Sequence, residues 1–255
     1  MAERIGIGEA ATRGGTRLVL LAGFPSPWSV AAKAIFDVKR IPYTRAQQTP
    51  SDTPDALVRV TGQASYPAVL HEQEKPRSGW AEILLLAERL APEPALVPSD
   101  ALARAQLFGF AHETCGEQGL GWSLRVLMIQ VGRQANPPTP ISGYLAGKYG
   151  YSPEAAAAAP ARSIALLRML SSQLAREKAR GNGYLLGASL TALDLYWAAF
   201  SNLIAPLPNE QCPMAPAARA MLTSPPPAVA AALDPALLAH RDFVFAKHVG
   251  LPLDL

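Results

Sequence analysis

The sequence predicts an α+β protein in which a small mixed sheet, with helices packed on it, is followed by a part that is helical throughout. Three observations carry that class. Up to about residue 90, short apolar runs closed by Gly and Pro alternate with helical patterns. The stretch Ala91-Pro92-Glu93-Pro94 then interrupts both patterns as a linker. Beyond it, long Ala- and Leu-rich segments keep helical spacing and show no strand alternation. The expected organisation is an N-terminal extension over 1–16, a sheet-containing domain over 17–91 and a linker over 92–98. An all-helical domain over 99–255 follows and ends in a Pro-rich extension.

Arg17 to Gly23 reads as a buried strand, a short apolar run ended by Gly and Pro. Ser26-Pro27-Trp28 reads as a helix start, with Ser at the cap and Pro at the first helical position. The helix runs to about Arg40 and groups Val30, Ala34, Ile35 and Val38 on one face. Ile41 to Ala46 is a second strand, Asp55 to Val60 a small helix, and Tyr66 to His71 a third strand entered through Pro67. A short fourth strand flanks the polar turn Glu72–Pro76, and Trp80 to Leu90 is a helix. In the second part, Ser99-Asp100 caps a long segment reaching about Val131, with a break at Gly116–Gly121. Gln134 to Pro140 is a loop, and Glu154 to Arg180 is helical, stopped by Gly181-Asn182-Gly183. Thr191 and Asp194 are spaced as a capping box for a helix through Leu203. The tail from Pro206 to Pro227 is Pro-rich, and Pro235 to His248 is helical again.

Composition narrows the function classes. With 255 residues the chain is long enough for a sizeable core, and 49% hydrophobic residues argue against global disorder. A net charge of +3, with no dense basic cluster, excludes a nucleic-acid footprint. Cys115 and Cys212 are far apart and outside any CxxC, so no disulfide framework or Cys-rich metal site is expected. His71, His112, His240 and His248 lack metal-ligand spacing, and no metal is expected. Met1 to Thr16 has no apolar core of a secretory signal, and no apolar stretch is long enough to span a bilayer. The expectation is a cytoplasmic protein with no membrane partner.

Three segments, in order and spacing, make the chain resemble the cytosolic glutathione transferase superfamily, over about Thr16 to Pro206. Gly23-Phe24-Pro25-Ser26-Pro27-Trp28-Ser29 matches the loop where serine-type members place their catalytic hydroxyl. Tyr66-Pro67-Ala68-Val69-Leu70 matches the segment that begins with a cis-proline. Tyr184-Leu185-Leu186-Gly187, followed by Thr191-Ala192-Leu193-Asp194, matches the family's structural capping box. The resemblance implies a thioredoxin-like N-terminal domain followed by an all-α domain, and a homodimer.

It also implies a site. Ser26 stands where a helix N-terminus favours an anion and where a hydroxyl donates to a thiolate; its residues alone favour a plain N-cap before Pro27, and the resemblance brings the catalytic role level with it. Ser29 is a second hydroxyl that suits a capping position. A cis Tyr66-Pro67 bond would turn the Tyr66 backbone toward a peptide ligand, whereas a plain strand-start proline needs no ligand. The glutathione-binding set implied is Ser26, Trp28, Tyr66, Pro67, Arg77 and Ser78. Here the chain departs from the pattern. Arg77-Ser78-Gly79 lacks the acidic residue that precedes the family's serine, whichever way the following helix is aligned. Arg77 is either a bidentate grip for a carboxylate or a solvated turn residue. The electrophile pocket implied comprises Phe24, His112, Trp122 and Arg125. Three glycines, Gly116, Gly119 and Gly121, interrupt the helical pattern there, for close packing or for a bend. Cys115 reads as a buried apolar residue.

The resulting expectation is an enzyme that takes glutathione as co-substrate and activates its thiol at Ser26 toward a small apolar or aromatic electrophile. Conjugation, ether cleavage, dehalogenation and isomerisation all use that thiolate. The alternatives are a non-catalytic ligand-binding or interaction protein on the same fold, or a specialised enzyme with a different ligand.

Overall fold

The computed structural model describes residues 4–222 and 225–254. A four-stranded sheet has the order β1-β3-β2-β4, formed by β1 (Arg4–Gly6), β2 (Thr16–Val19), β3 (Thr44–Gln47) and β4 (Ala68–His71). β3 runs parallel to both β1 and β2, while β4 is antiparallel to β2, with Leu18 opposite Arg45 on one side and Val69 on the other. Side chains alternate between the faces as strand geometry requires. Leu18 and Val69 join the main core, and Val19, Ala46, Ala68 and Leu70 form a second cluster with Ile5 and Ile7.

The sheet differs from the expectation in several places: β3 begins at Thr44 rather than Ile41, β4 at Ala68 rather than Tyr66, and three further differences change its make-up. Residues 1–16, read as an extension, supply β1 and the short helix α1 (Ile7–Ala10), because burying Ile5 and Ile7 covers the sheet's second face. The strand begun at Arg17 ends at Val19, not Gly23, and the chain leaves the sheet through Gly23 at φ +68°. The fourth strand contracts to one bridge in which Val69 and Arg77 exchange backbone hydrogen bonds of 2.8 and 3.0 Å.

Asp52 holds the new N-terminal strand in place. Its carboxylate accepts from Ile7 N at 3.1 Å, Gly8 N at 2.8 Å, and Thr49 N and Oγ1 at 2.8 Å each. Burial alone would raise its pKa, but the hydrogen bonds from Gly8, Thr49 and Ile7 outweigh it and hold the carboxyl below its usual range. A depressed folded-state pKa stabilises above the unfolded value and loses that contribution as the pH falls through the folded one. Asp52→Asn is therefore expected to cost about 1–2 kcal/mol at pH 7, after allowance for solvent access. Urea melts should show the gap between variant and parent closing below pH ~4. A gap independent of pH would remove the carboxylate's charge from the account.

α2 (Pro27–Val38) and α4 (Trp80–Leu90) cover the main face of the sheet, and α3 (Ala56–Thr61) lies with α1 on the other. Together they form the thioredoxin-like part. The helical part comprises α5 (Ala101–Cys115), α6 (Leu120–Gln134), α7 (Pro140–Lys148), α8 (Pro153–Ala179) and α9 (Ala192–Ser201). α10 (Pro216–Leu222), α11 (Pro227–Ala231) and α12 (Pro235–Val244) complete it, with a π-helical turn over Phe245–Val249. The cap expected at Asp100 is present, accepting from Ala103 N at 2.8 Å, and a further one at Ser152, accepting from Ala155 N at 3.1 Å, starts α8 one residue before the expected Glu154. Asp194 accepts from Thr191 N and Oγ1, both at 2.9 Å, closing the capping box at α9. α2 packs on α9, so one continuous core runs from the sheet into the helical part. The C-terminus returns to the sheet edge, where the Asp254 carboxylate meets Arg45 at 2.9 Å and Arg4 at 2.6 Å, two residues paired in register on β3 and β1.

Candidate functional site

The loop from β2 enters α2 at Ser26, which has φ −58° and ψ 119° and precedes Pro27 at the first helical position. Ser26 occupies the cap position, but its side chain makes no capping hydrogen bond. The hydroxyl instead lines a cavity of about 450 Å³ between the two parts of the chain. The second hydroxyl, Ser29, is buried and accepts from Leu21 N at 3.4 Å. It ties the loop to the helix and does not cap the first turn.

Two of the expected neighbours of Ser26 are at the cavity. Tyr66 lines it, and the Tyr66-Pro67 peptide bond is cis. Burial, then the charge of Asp52, pushes the Tyr66 phenol up. Trp28 lines it too, although its indole is fixed by packing. The ring N–H donates to the Cys115 carbonyl at 2.9 Å, and the ring meets Phe200 edge-on at 4.8 Å. Gly121 permits this, since a Cβ there would overlap the Phe200 ring and press on Trp28. Close packing is thus the reason for that helical glycine. Gly116 and Gly119 face the same constraint from His112 and Glu113, where α5 turns into α6. Cys115 donates its thiol to the Ala111 carbonyl at 2.8 Å, and burial pushes its pKa well up. It is a packing residue.

The Arg77–Gly79 segment is arranged differently from expectation. Arg77 pairs with Glu74 at 2.7 Å and donates to the Lys75 carbonyl at 2.7 Å, so its guanidinium is spent in the turn and does not reach the cavity. Glu74 is shared with Arg89, also at 2.7 Å. Gly79 is the cap of α4, and its N–H donates to the Glu82 carboxylate at 3.1 Å. The helix thus brings its own acid to the end where an acid was missing from the sequence. Ser78 is exposed and borders a narrow seam with Pro67 and Trp28 rather than the main cavity.

Of the expected electrophile pocket, Phe24 and Arg125 face the cavity. Arg125, on α6, is only 5% exposed; its guanidinium lies 5.4 Å from the Phe24 ring centre and 5.9 Å from that of Trp28. Desolvation lowers its pKa, with Tyr149 acting in the opposite sense. His112 is not at the cavity: it is exposed, with its ring 6.5 Å from that of Trp80. Trp122 is displaced as well. It packs edge-on to Tyr149 at 4.8 Å and lines a separate surface groove with Glu117 and Arg162. Both lie on α5 or α6 as expected, but on faces turned away from Ser26.

The remaining wall comes from residues outside the expected site set, on α7 and in the Pro-rich tail, the segment whose expected role is to cover the pocket. Ile141, Leu145 and Lys148 fall on one face of α7 at i, i+4 and i+7, and Tyr149 follows. Ala215, Ala217 and Ala218, from the Pro-rich tail and α10, close the other side. The signal for α7 was present: Thr139-Pro140 suits a helix start, and Gly150, at φ +57°, suits its end. Nothing in the tail's sequence marks its alanines as cavity residues. Among the described residues no group of His, Cys, Asp or Glu is placed to hold a metal, and no helix is long and apolar enough to cross a membrane.

No protein-family model and no curated protein matches the sequence. Solved structures do resemble it. A glutathione S-transferase from Methylobacterium radiotolerans, in complex with glutathione sulfonate, superimposes with a TM-score of 0.61 at 16% identity, covering 94% of this chain and 97% of its own. One from Xanthobacter autotrophicus gives 0.57 at 18%, covering 93% and 96%. The beta-etherase LigF from Sphingobium gives 0.56 at 15%, covering 73% and 82%. The chain has the glutathione transferase fold, a thioredoxin-like domain followed by a helical one.

Proposed function

We propose that the protein is a glutathione-dependent transferase of the serine type, acting on a small electrophile held in the cavity beside Ser26. One observation carries this reading: the Ser26 hydroxyl stands at the N-terminus of α2, is not used as a cap, and opens on the cavity that Tyr66, the residue before the cis-proline, also lines. A free thiol ionises near pH 8.5, and the helix N-terminus favours its thiolate. The Ser26 O–H donates to that sulfur while the thiol proton leaves to solvent. The thiolate pair then forms the S–C bond at the electrophilic carbon, as a leaving group departs with its bonding pair or as the π pair of an activated double bond shifts away and takes a proton from solvent. The same likeness supports a cytoplasmic homodimer.

Reduced glutathione is expected to give saturable heat on calorimetric titration, with a Kd of about 1 mM or tighter. Absence of heat at about 10 mM overturns the reading. The pairing of Arg77 with Glu74, and the Glu82 carboxylate at the α4 N-terminus, favour a second one in that event. These groups weaken the place where a γ-glutamyl carboxylate would sit, and the chain would then be a binding protein or an enzyme for another ligand.

A further inference from the structure

The cavity beside Ser26 is charged on one side only. Arg125 is almost fully buried in its wall, and its Nε has no hydrogen-bond partner. Its Nη1 meets a soft acceptor, Met128 Sδ, at 3.6 Å, and its other polar neighbour is the Tyr149 hydroxyl, which carries no charge to balance it. Lys148 stands at the mouth, 5.4 Å from the Tyr149 ring centre. Among the described residues neither cation has a carboxylate within ion-pair distance, and no Asp or Glu lines the cavity. A buried guanidinium without a counter-charge is costly and needs a reason. A second cavity of about 420 Å³ adjoins the first and shares Ile141, Leu145 and Ala217 with it. Its walls are apolar: Leu124, Leu127, Met128, Ile129 and Leu203.

We infer that this paired space takes an amphipathic acid, with its carboxylate on the Arg125 fork beside Lys148 and its apolar body in the adjoining cavity. The planar guanidinium matches a carboxylate in two parallel hydrogen bonds, and the missing counter-charge is then the ligand's own. Ser26 lies in the same cavity, so an electrophilic carbon near the acid's head is brought to the thiolate. The inference rests on the transferase reading only for the acid's role as acceptor; its binding is a separate matter. Glutathione also carries carboxylates, and the test must separate the two.

Calorimetry without glutathione, using decanoate and the uncharged decan-1-ol as probes, provides the first arm. The protein is expected to bind decanoate at least about tenfold more tightly than the alcohol. Arg125→Met should reduce decanoate affinity about tenfold or more and leave decan-1-ol and reduced glutathione within about twofold. Lys148→Gln, at the mouth, should reduce decanoate affinity about threefold. Equal binding of acid and alcohol, or no binding of decanoate, overturns the proposal. So does an Arg125→Met variant that loses glutathione and keeps decanoate, because the charge then serves the peptide. If circular dichroism shows Arg125→Met unfolded, Lys148→Gln and the wild-type probe pair decide. Glutathione binding without decanoate selectivity defeats this inference alone, and decanoate selectivity without glutathione binding defeats the transferase reading alone.

Discussion

Ser26→Ala is expected to lower turnover of glutathione with an aryl halide about 10²–10³-fold, the usual loss on removing one preorganised donor to a developing anion. Affinity for glutathione itself should change only a few-fold, since the hydroxyl acts on the thiolate rather than on the peptide as a whole. Stability should stay within about 0.5 kcal/mol. This last expectation follows from the structure: a serine that capped α2 would cost about 1 kcal/mol on truncation, and Ser26 makes no capping bond. The pair of readouts, steady-state rate and urea midpoint, therefore separates the two roles its position allows. Full turnover would remove Ser26 from the chemistry. A large stability loss would restore the capping role. Ser29→Ala serves as the control hydroxyl, because Ser29 is engaged with Leu21 N and lies outside the cavity lining.

The largest loss of stability is expected from Asp194→Ala, about 3–5 kcal/mol by denaturant melt. Asp194 is fully buried at the start of α9. Its carboxylate accepts from Thr191 N and Oγ1 and from Leu185 N at 2.8 Å, and His240 Nε2 lies 2.8 Å away. One side chain thus joins the α9 N-terminus, the Tyr184–Gly187 turn and α12. Truncation leaves four buried donors without a partner, each costing its desolvation. Because α9 is the helix against which α2 packs, and Phe200 on it is the seat of Trp28, the damage should reach the cavity too. A loss below about 1 kcal/mol would show that water enters and replaces the carboxylate.

Local chemistry determined a good deal of this protein. The α4 boundaries, the Asp100 cap, the capping box at Thr191 and Asp194, and the glycine stop after α8 all follow from side chains bonding nearby backbone or from a glycine taking a left-handed turn, within a few residues, which sequence spacing displays. The same locality placed Ser26 at a helix start. Tertiary structure alone decided the rest. β1 exists because Ile5 and Ile7 cover a sheet face assembled from strands far along the chain. Arg77 left the candidate site because Glu74 lies across the turn from it. His112 and Trp122 turned away, while Tyr149, Lys148 and the alanines of the tail turned in. Which face of a helix meets a cavity depends on how helices from distant segments pack, and a guanidinium is buried without a counter-charge only once those walls close around it. The sequence carries the elements and their ends because those are short-range bonds; the site's walls and their charge are sums over long-range contacts that no single segment contains.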